Sequence, residues 1–204
     1  MSKVISYIKG TLVEIGETWV VVESGQIGYQ LFIPTSNFAQ LPPVNSEIKL
    51  FTHLQIREDI FILYGFLKKE ESQLFQLLIS VTGIGPKGAV GILSALTPSE
   101  VYFAVLGNDI VTLCKAPGVG KKTAQRMILE LKDKFKMENI AEICSDGLEK
   151  DTSNQSKKEA VEALVALGYQ RHDAFRVIQS LDSTDITNTE NMIKEGLKRL
   201  TMMG

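Results

Sequence analysis

Cysteine and histidine are nearly absent from this chain, two of each among 204 residues. Cys114 and Cys144 have no CxxC partner, and His53 and His172 are too far apart to offer metal-ligand spacing. A disulfide framework and a zinc site are therefore excluded, and the expectation is a reduced, cytoplasmic protein with no cofactor and no metal. No apolar run approaches the roughly 18 residues that span a bilayer, so no membrane segment is expected. Met1-Ser2-Lys3 leads straight into strand-like residues, which predicts no signal peptide. Excess charge is lacking too. The net value of −2 would by itself argue against a nucleic-acid binder. Its distribution argues otherwise: residues 1–64 carry 4 basic and 6 acidic side chains, 65–137 carry 10 and 6, and 138–204 carry 8 and 12. A basic zone lies between two acidic ones, and the total hides it.

What is present divides the chain into an α+β multidomain protein. Residues 1–64 read as β, with Val4–Ile8, Thr11–Ile15, Trp19–Ser24, Ile27–Ile33, Ile48–Ile56 and Ile60–Tyr64 rich in β-branched and aromatic residues. Gly16-Glu17, Ser24-Gly25-Gln26 and Pro42-Pro43 punctuate them, and Thr35–Leu41 is an irregular excursion. A small barrel of the OB-fold class fits best. From Lys68 the period becomes helical, with Leu74, Leu77 and Leu78 on one face, and a helical domain is expected over 65–140. Ser145–Lys158 is polar apart from Leu148, so a flexible linker is expected over 141–156. A capping box at Ser156-Lys157-Lys158-Glu159 then opens a three-helix, UBA-like module over 157–204. Gly168 stops its first helix, a second lies around Asp173–Leu181, and a third follows the capping box Thr187-Asn188-Thr189-Glu190.

The central domain contains a duplication. At an offset of 35 residues Leu78/Leu113, Gly83/Gly118, Ile84/Val119, Gly85/Gly120, Lys87/Lys122, Ala89/Ala124 and Ile92/Met127 agree in type. In each copy a helix ends, two glycines bracket one apolar residue, and a new helix begins: a tandem helix-hairpin-helix. The glycines permit positive φ and leave no side chain between turn and ligand. The unpaired N–H groups that open the second helix are a seat for a phosphate. The apolar residue plugs the hairpin into its core. Lys87, Lys121 and Lys122 stand in the first turn, where a cation opposes the helix dipole unless a phosphate arrives. Such contacts read backbone and carry no sequence information. The plainer alternative is an α-hairpin with glycine caps, which one Gly-x-Gly would allow and two copies followed by lysine disfavour.

An ATP-binding loop fails on spacing. Gly118-Val119-Gly120-Lys121-Lys122-Thr123 resembles the end of a P-loop, but the required first glycine is Lys115 and the residue after Gly120-Lys121 is Lys122. No strand precedes it, and no Walker B strand is evident. A chain without catalytic residues is expected.

Taken together, Phe51-Thr52-His53, Arg57-Glu58-Asp59, Leu63-Tyr64-Gly65-Phe66, the two hairpins, Gly120-Lys121-Lys122-Thr123-Ala124-Gln125-Arg126 and Ala166-Leu167-Gly168-Tyr169 resemble the RuvA family, Holliday-junction-binding subunits of bacterial branch-migration complexes. The resemblance spans nearly the whole chain. It implies sequence-independent binding of four-way junctions held open and planar, in recombination and DNA repair. It also implies a homotetramer, an octamer of two tetramers around a junction, a hexameric RuvB-type ATPase recruited by the C-terminal module, and a junction resolvase in the same assembly. The DNA-contacting set becomes Gly83, Gly85, Lys87, Gly118, Gly120, Lys121, Lys122, Thr123 and Arg126, and Glu58 and Asp59 become an acidic pin at the junction centre. One departure is Thr82, where the family often has Asn.

Residues 57–59 interrupt two strand-like runs, so Glu58 and Asp59 are expected at a hairpin tip. Simple solvation is the bland reading of such a pair. Two adjacent carboxylates at a tip diverge, whereas a two-metal nuclease needs several that converge. Four copies near an axis would instead repel phosphate. Leu164, Leu167 and Tyr169 are most simply core residues, but three short helices do not hide every apolar group, so part of that surface is a candidate for docking the ATPase. A general duplex-binding or repair protein with a single-strand-binding OB domain stays open beside the junction-specific adaptor.

Overall fold

The computed structural model describes residues 4–57, 60–137, 152–169, 173–174, 177–178, 181 and 189–203, with backbone only at 57, 133, 136–137, 152–158 and 202–203. Glu58, Asp59 and residues 138–151 lie outside it. Two compact units result, 1–143 and 144–204.

The first unit opens with a closed barrel of β1 (Tyr7–Ile15), β2 (Trp19–Ser24), β3 (Ile27–Phe32), β4 (Glu47–Arg57) and β5 (Ile60–Phe66). The order around the barrel is β1-β2-β3-β5-β4, all antiparallel except β3 with β5. This is a five-stranded Greek-key barrel, the class expected. Ile8, Leu12, Val20, Val22, Leu31, Ile33, Ile48 and Leu50 alternate into its core. The excursion after β3 is a 3-10 helix, Thr35–Gln40. The separate strands expected at Val4–Ile8 and Thr11–Ile15 are one. Gly10 does not break it: a Cβ there would lie 2.0 Å from the Glu23 carbonyl oxygen, so glycine lets the curved strand pass its neighbour.

Among the described residues of this unit five helices follow: α1 (Lys69–Ile79), α2 (Pro86–Ala95), α3 (Pro98–Leu106), α4 (Ile110–Leu113) and α5 (Lys121–Met137). Barrel and helices share apolar interior. Phe75 of α1 is fully buried, with its ring centroid 4.9 Å from Phe66 and 5.2 Å from Tyr64. Polar contacts add to this, Thr35 N–H donating to Ser94 Oγ at 2.9 Å and Ser36 Oγ to the Leu93 carbonyl at 2.9 Å. The boundary expected between residues 64 and 65 thus falls inside β5.

The second unit contains α6 (Thr152–Ala166) and α7 (Thr189–Met203). α6 begins four residues before the Ser156 capping box and occupies the end of the expected linker. Asp173, Ala174, Val177 and Ile178 are helical where the middle helix was expected. Gly168, at φ +97°, closes α6: its N–H reaches the Val165 carbonyl at 3.0 Å and the Tyr169 N–H reaches Leu164 at 3.2 Å. That pair of bonds is a Schellman cap. α7 crosses α6 at Gly196, where a Cβ would stand 3.0 Å from Leu164 Cδ1. No single helix among the described residues is long and apolar enough to cross a membrane.

Candidate nucleic-acid interface

The duplication survives as repeated hydrogen bonding. In the first copy Ser80 N–H bonds Leu77, Val81 bonds Leu78, Ile84 bonds Val81 and Ala89 bonds Gly85. In the second, 35 residues on, Lys115 bonds Thr112, Ala116 bonds Leu113, Val119 bonds Ala116 and Ala124 bonds Gly120. The buried positions repeat as well: Leu78 and Leu113, Ala89 and Ala124, Ile92 and Met127 are all fully buried. Ile84 and Val119 plug their own hairpins, 7% and 8% exposed.

The two glycines of each hairpin do different work. Gly83 and Gly118 adopt φ of +92° and +78°, where a side chain is strained. Gly85 and Gly120 have no such conformation, Gly85 being extended at φ −88° and ψ 172°, and a Cβ on either would meet nothing within 4 Å. Neither backbone shape nor internal packing requires glycine there. The open space lies in front of the helix N-termini of α2 and α5. Gly85 caps α2 with no side-chain hydrogen bond, and Gly120 has no side chain to cap with, so the first-turn N–H groups have no side-chain cap, those of α2 starting at Lys87 because Pro86 has none. Lys87, Lys121 and Lys122 are exposed beside them and Thr123 is half-buried.

The short helix α4, which leads into the second hairpin, is fixed by Asp109. Its carboxylate accepts the Thr112 N–H at 3.0 Å and the Thr112 hydroxyl at 2.7 Å. These two bonds, the backbone one foremost, hold the carboxyl below its ordinary pKa against the opposing effect of burial.

The β4–β5 ladder runs out to the pair Arg57 and Ile60. Beside it a groove of about 350 Å³ is lined by Gln55, Ile60, Ile62, Tyr64 and the first hairpin's Gly85, Pro86 and Lys87. The strand pair that leads to the expected pin is therefore a neighbour of the first hairpin. Among the described residues, no group of three or more His, Cys, Asp or Glu could hold a metal ion.

Known proteins match this chain along nearly its whole length. Residues 5–65 match the RuvA N terminal domain, 75–133 a SAM-like helix-hairpin-helix tandem, and 156–201 the RuvA C-terminal domain. A Holliday junction branch migration complex subunit RuvA from Lachnospira eligens is 41% identical over 203 residues, covering 96% of this chain and 98% of the relative. The protein of that name from Acetivibrio thermocellus is 43% identical over 198 residues, with 96% and 98% covered. This chain belongs to the RuvA family.

Within this RuvA-family chain, both hairpins present their glycines and lysines at the surface, but two expected site residues stand differently. Arg126 is exposed, yet its Nη1 donates to the Thr82 carbonyl at 3.0 Å, so one of its donors is already engaged inside the protein. Leu164 is fully buried in the core of the C-terminal unit, with Ala160, Ile178 and Met192, and presents no side-chain surface. Leu167 is 59% exposed and Tyr169 half-buried. Glu130, whose Oε2 accepts the Thr82 N–H at 3.1 Å, was not foreseen. Its only sequence signal is the four-residue spacing from Arg126 and on to Lys134.

Proposed function

We propose that this chain binds four-way DNA junctions without regard to sequence, keeps them open and planar, and recruits a hexameric RuvB-type ATPase that drives branch migration in recombination and repair. The observation that carries this reading is the pair Gly85 and Gly120. Each is a glycine with no internal reason to be one, placed where unpaired helix N–H groups and a lysine converge. A phosphate oxygen approaching to hydrogen-bond distance supplies the reason. Gly83, Gly85 and Lys87 form one seat, and Gly118, Gly120, Lys121, Lys122 and Thr123 the other, with the remaining donors of Arg126 beside them.

The chain acts as a non-catalytic, cytoplasmic adaptor in this reading. Four copies form a homotetramer on the junction, and two tetramers enclose it as an octamer. Glu58 and Asp59 of each copy stand near the axis and repel the phosphates that the hairpins attract. The C-terminal module docks the ATPase around Leu167 and Tyr169, and a junction resolvase shares the assembly.

The deciding experiment is a gel-shift competition between a four-way junction and linear duplex of the same arm sequence. Strong preference for the junction is expected. Equal affinity, or tighter binding to single strands, overturns the reading in favour of a general duplex-binding or single-strand-binding protein.

A further inference from the structure

Among the positions where the two copies differ, one bears directly on the stiffness of the turn. Thr82 in the first hairpin corresponds to Pro117 in the second. Proline fixes its own φ and has no N–H to satisfy, so the second turn is stiff by constitution. The first turn has a residue with two more degrees of freedom and an exposed N–H. It is stiffened from outside. The Thr82 N–H donates to Glu130 Oε2 at 3.1 Å, the Thr82 carbonyl accepts from Arg126 Nη1 at 3.0 Å, and Lys134 Nζ donates to Ser80 Oγ at 2.6 Å. Arg126, Glu130 and Lys134 are successive turns of one face of α5, the helix whose N-terminus forms the second seat.

We infer that Glu130 is a positioning residue: through the Thr82 N–H it fixes the first hairpin turn as Pro117 fixes the second, so that one rigid helix sets both phosphate seats at the spacing a duplex presents. The inference rests on the phosphate-seat reading. It also explains a carboxylate that electrostatics alone would remove. Glu130 puts a negative charge beside a surface meant for phosphates, and simple Coulomb reasoning says that neutralising it tightens DNA binding. A positioning role gives the opposite sign. Leaving one turn residue to be ordered on binding weakens affinity by about fivefold or more.

Four comparisons decide the matter, with dissociation constants for linear duplex measured at one salt concentration. Glu130→Ala weakens binding, while Glu130→Gln, whose amide oxygen still accepts the Thr82 N–H, stays near wild type. Thr82→Pro in the Glu130→Ala background restores affinity, because it copies the second hairpin into the first. Lys87→Ala, which reports on the first seat, loses less in the Glu130→Ala background than in the wild type. Tighter binding by Glu130→Ala, equal loss in the Gln variant, no rescue by Thr82→Pro, or an unchanged Lys87→Ala penalty each overturns the inference. If Lys87→Ala and Lys122→Ala have no effect in the wild-type chain, it is the phosphate-seat reading that fails instead.

Discussion

Asn37 and Glu71, 34 residues apart, meet in the interior, where Asn37 Nδ2 donates to Glu71 Oε2 at 3.0 Å. Asn37 belongs to the barrel's 3-10 helix and is 1% exposed; Glu71 belongs to α1 and is 8% exposed. The same oxygen accepts the Lys68 N–H at 3.2 Å, so a single buried carboxylate joins the barrel to the helix start. Replacing Asn37 with Ala leaves that carboxylate short of a donor. The expected loss is about 1–3 kcal/mol of folding stability. Urea denaturation at neutral pH measures it, and an unchanged midpoint contradicts the account.

The two glycines of the second hairpin separate conformation from contact. Gly118→Val places a β-branched residue at φ +78° and is expected to destabilise the fold by about 1–2 kcal/mol or more. Gly120→Ala meets nothing in the protein and is expected to leave the melting temperature level or slightly raised. It nevertheless weakens DNA binding, because its methyl group stands where the phosphate approaches. Wild-type affinity in Gly120→Ala would remove the main support for the seat.

Lys122 gives a salt signature. Each phosphate contact contributes about 0.9 to the slope of log K against log salt on duplex DNA. Lys122→Ala is expected to weaken junction and duplex binding alike and to flatten the slope by about that amount. A titration series in which only the intercept moves assigns the lysine another role.

Asp109 sets a pH dependence with a definite sign. Its folded-state pKa lies below the unfolded value, so the cap contributes fully above the ordinary carboxylate range near ~3.9 and is lost as pH falls through the lower folded value. Asp109→Ala is expected to cost about 1 kcal/mol at neutral pH. The gap between variant and wild type should close in acid, and Asp109→Asn, still able to cap, should lose less. A gap of constant size from neutral to acid pH contradicts the linkage.

The acidic pair is expected to act with the opposite sign from the hairpins. Glu58→Gln combined with Asp59→Asn removes repulsion without touching either seat. Affinity for ordinary duplex should rise relative to that for the four-way junction. Two dissociation constants at fixed salt give the ratio, and an unchanged ratio returns the pair to a solvated turn.

Much of this was legible in the residues. β2 was readable to its ends, because β-branched alternation and the Ser24-Gly25-Gln26 turn act locally. The hairpins were legible because their duplication repeats a local hydrogen-bond pattern. What escaped notice depends on distance along the chain. Gly10 reads as a break unless one knows that Glu23 passes 2.0 Å from its missing Cβ. Leu164 and Leu167 look alike in sequence, yet one faces Gly196 on α7 and the other solvent. The Thr82–Glu130 bond joins residues 48 apart, and the four-residue spacing around Glu130 does not name Thr82 as its partner.

On the proposed reading, the seats at Gly85 and Gly120 are backbone N–H groups with a lysine beside each. Every base-pair step along a duplex offers them the same ligand at the same pitch. A helix screwing past such a surface exchanges one phosphate for the next at nearly equal free energy, whatever bases follow. The hairpins then form a low-friction bearing: firm against separation, nearly indifferent to travel, and leaving the speed of an advancing DNA arm to whatever pulls on it.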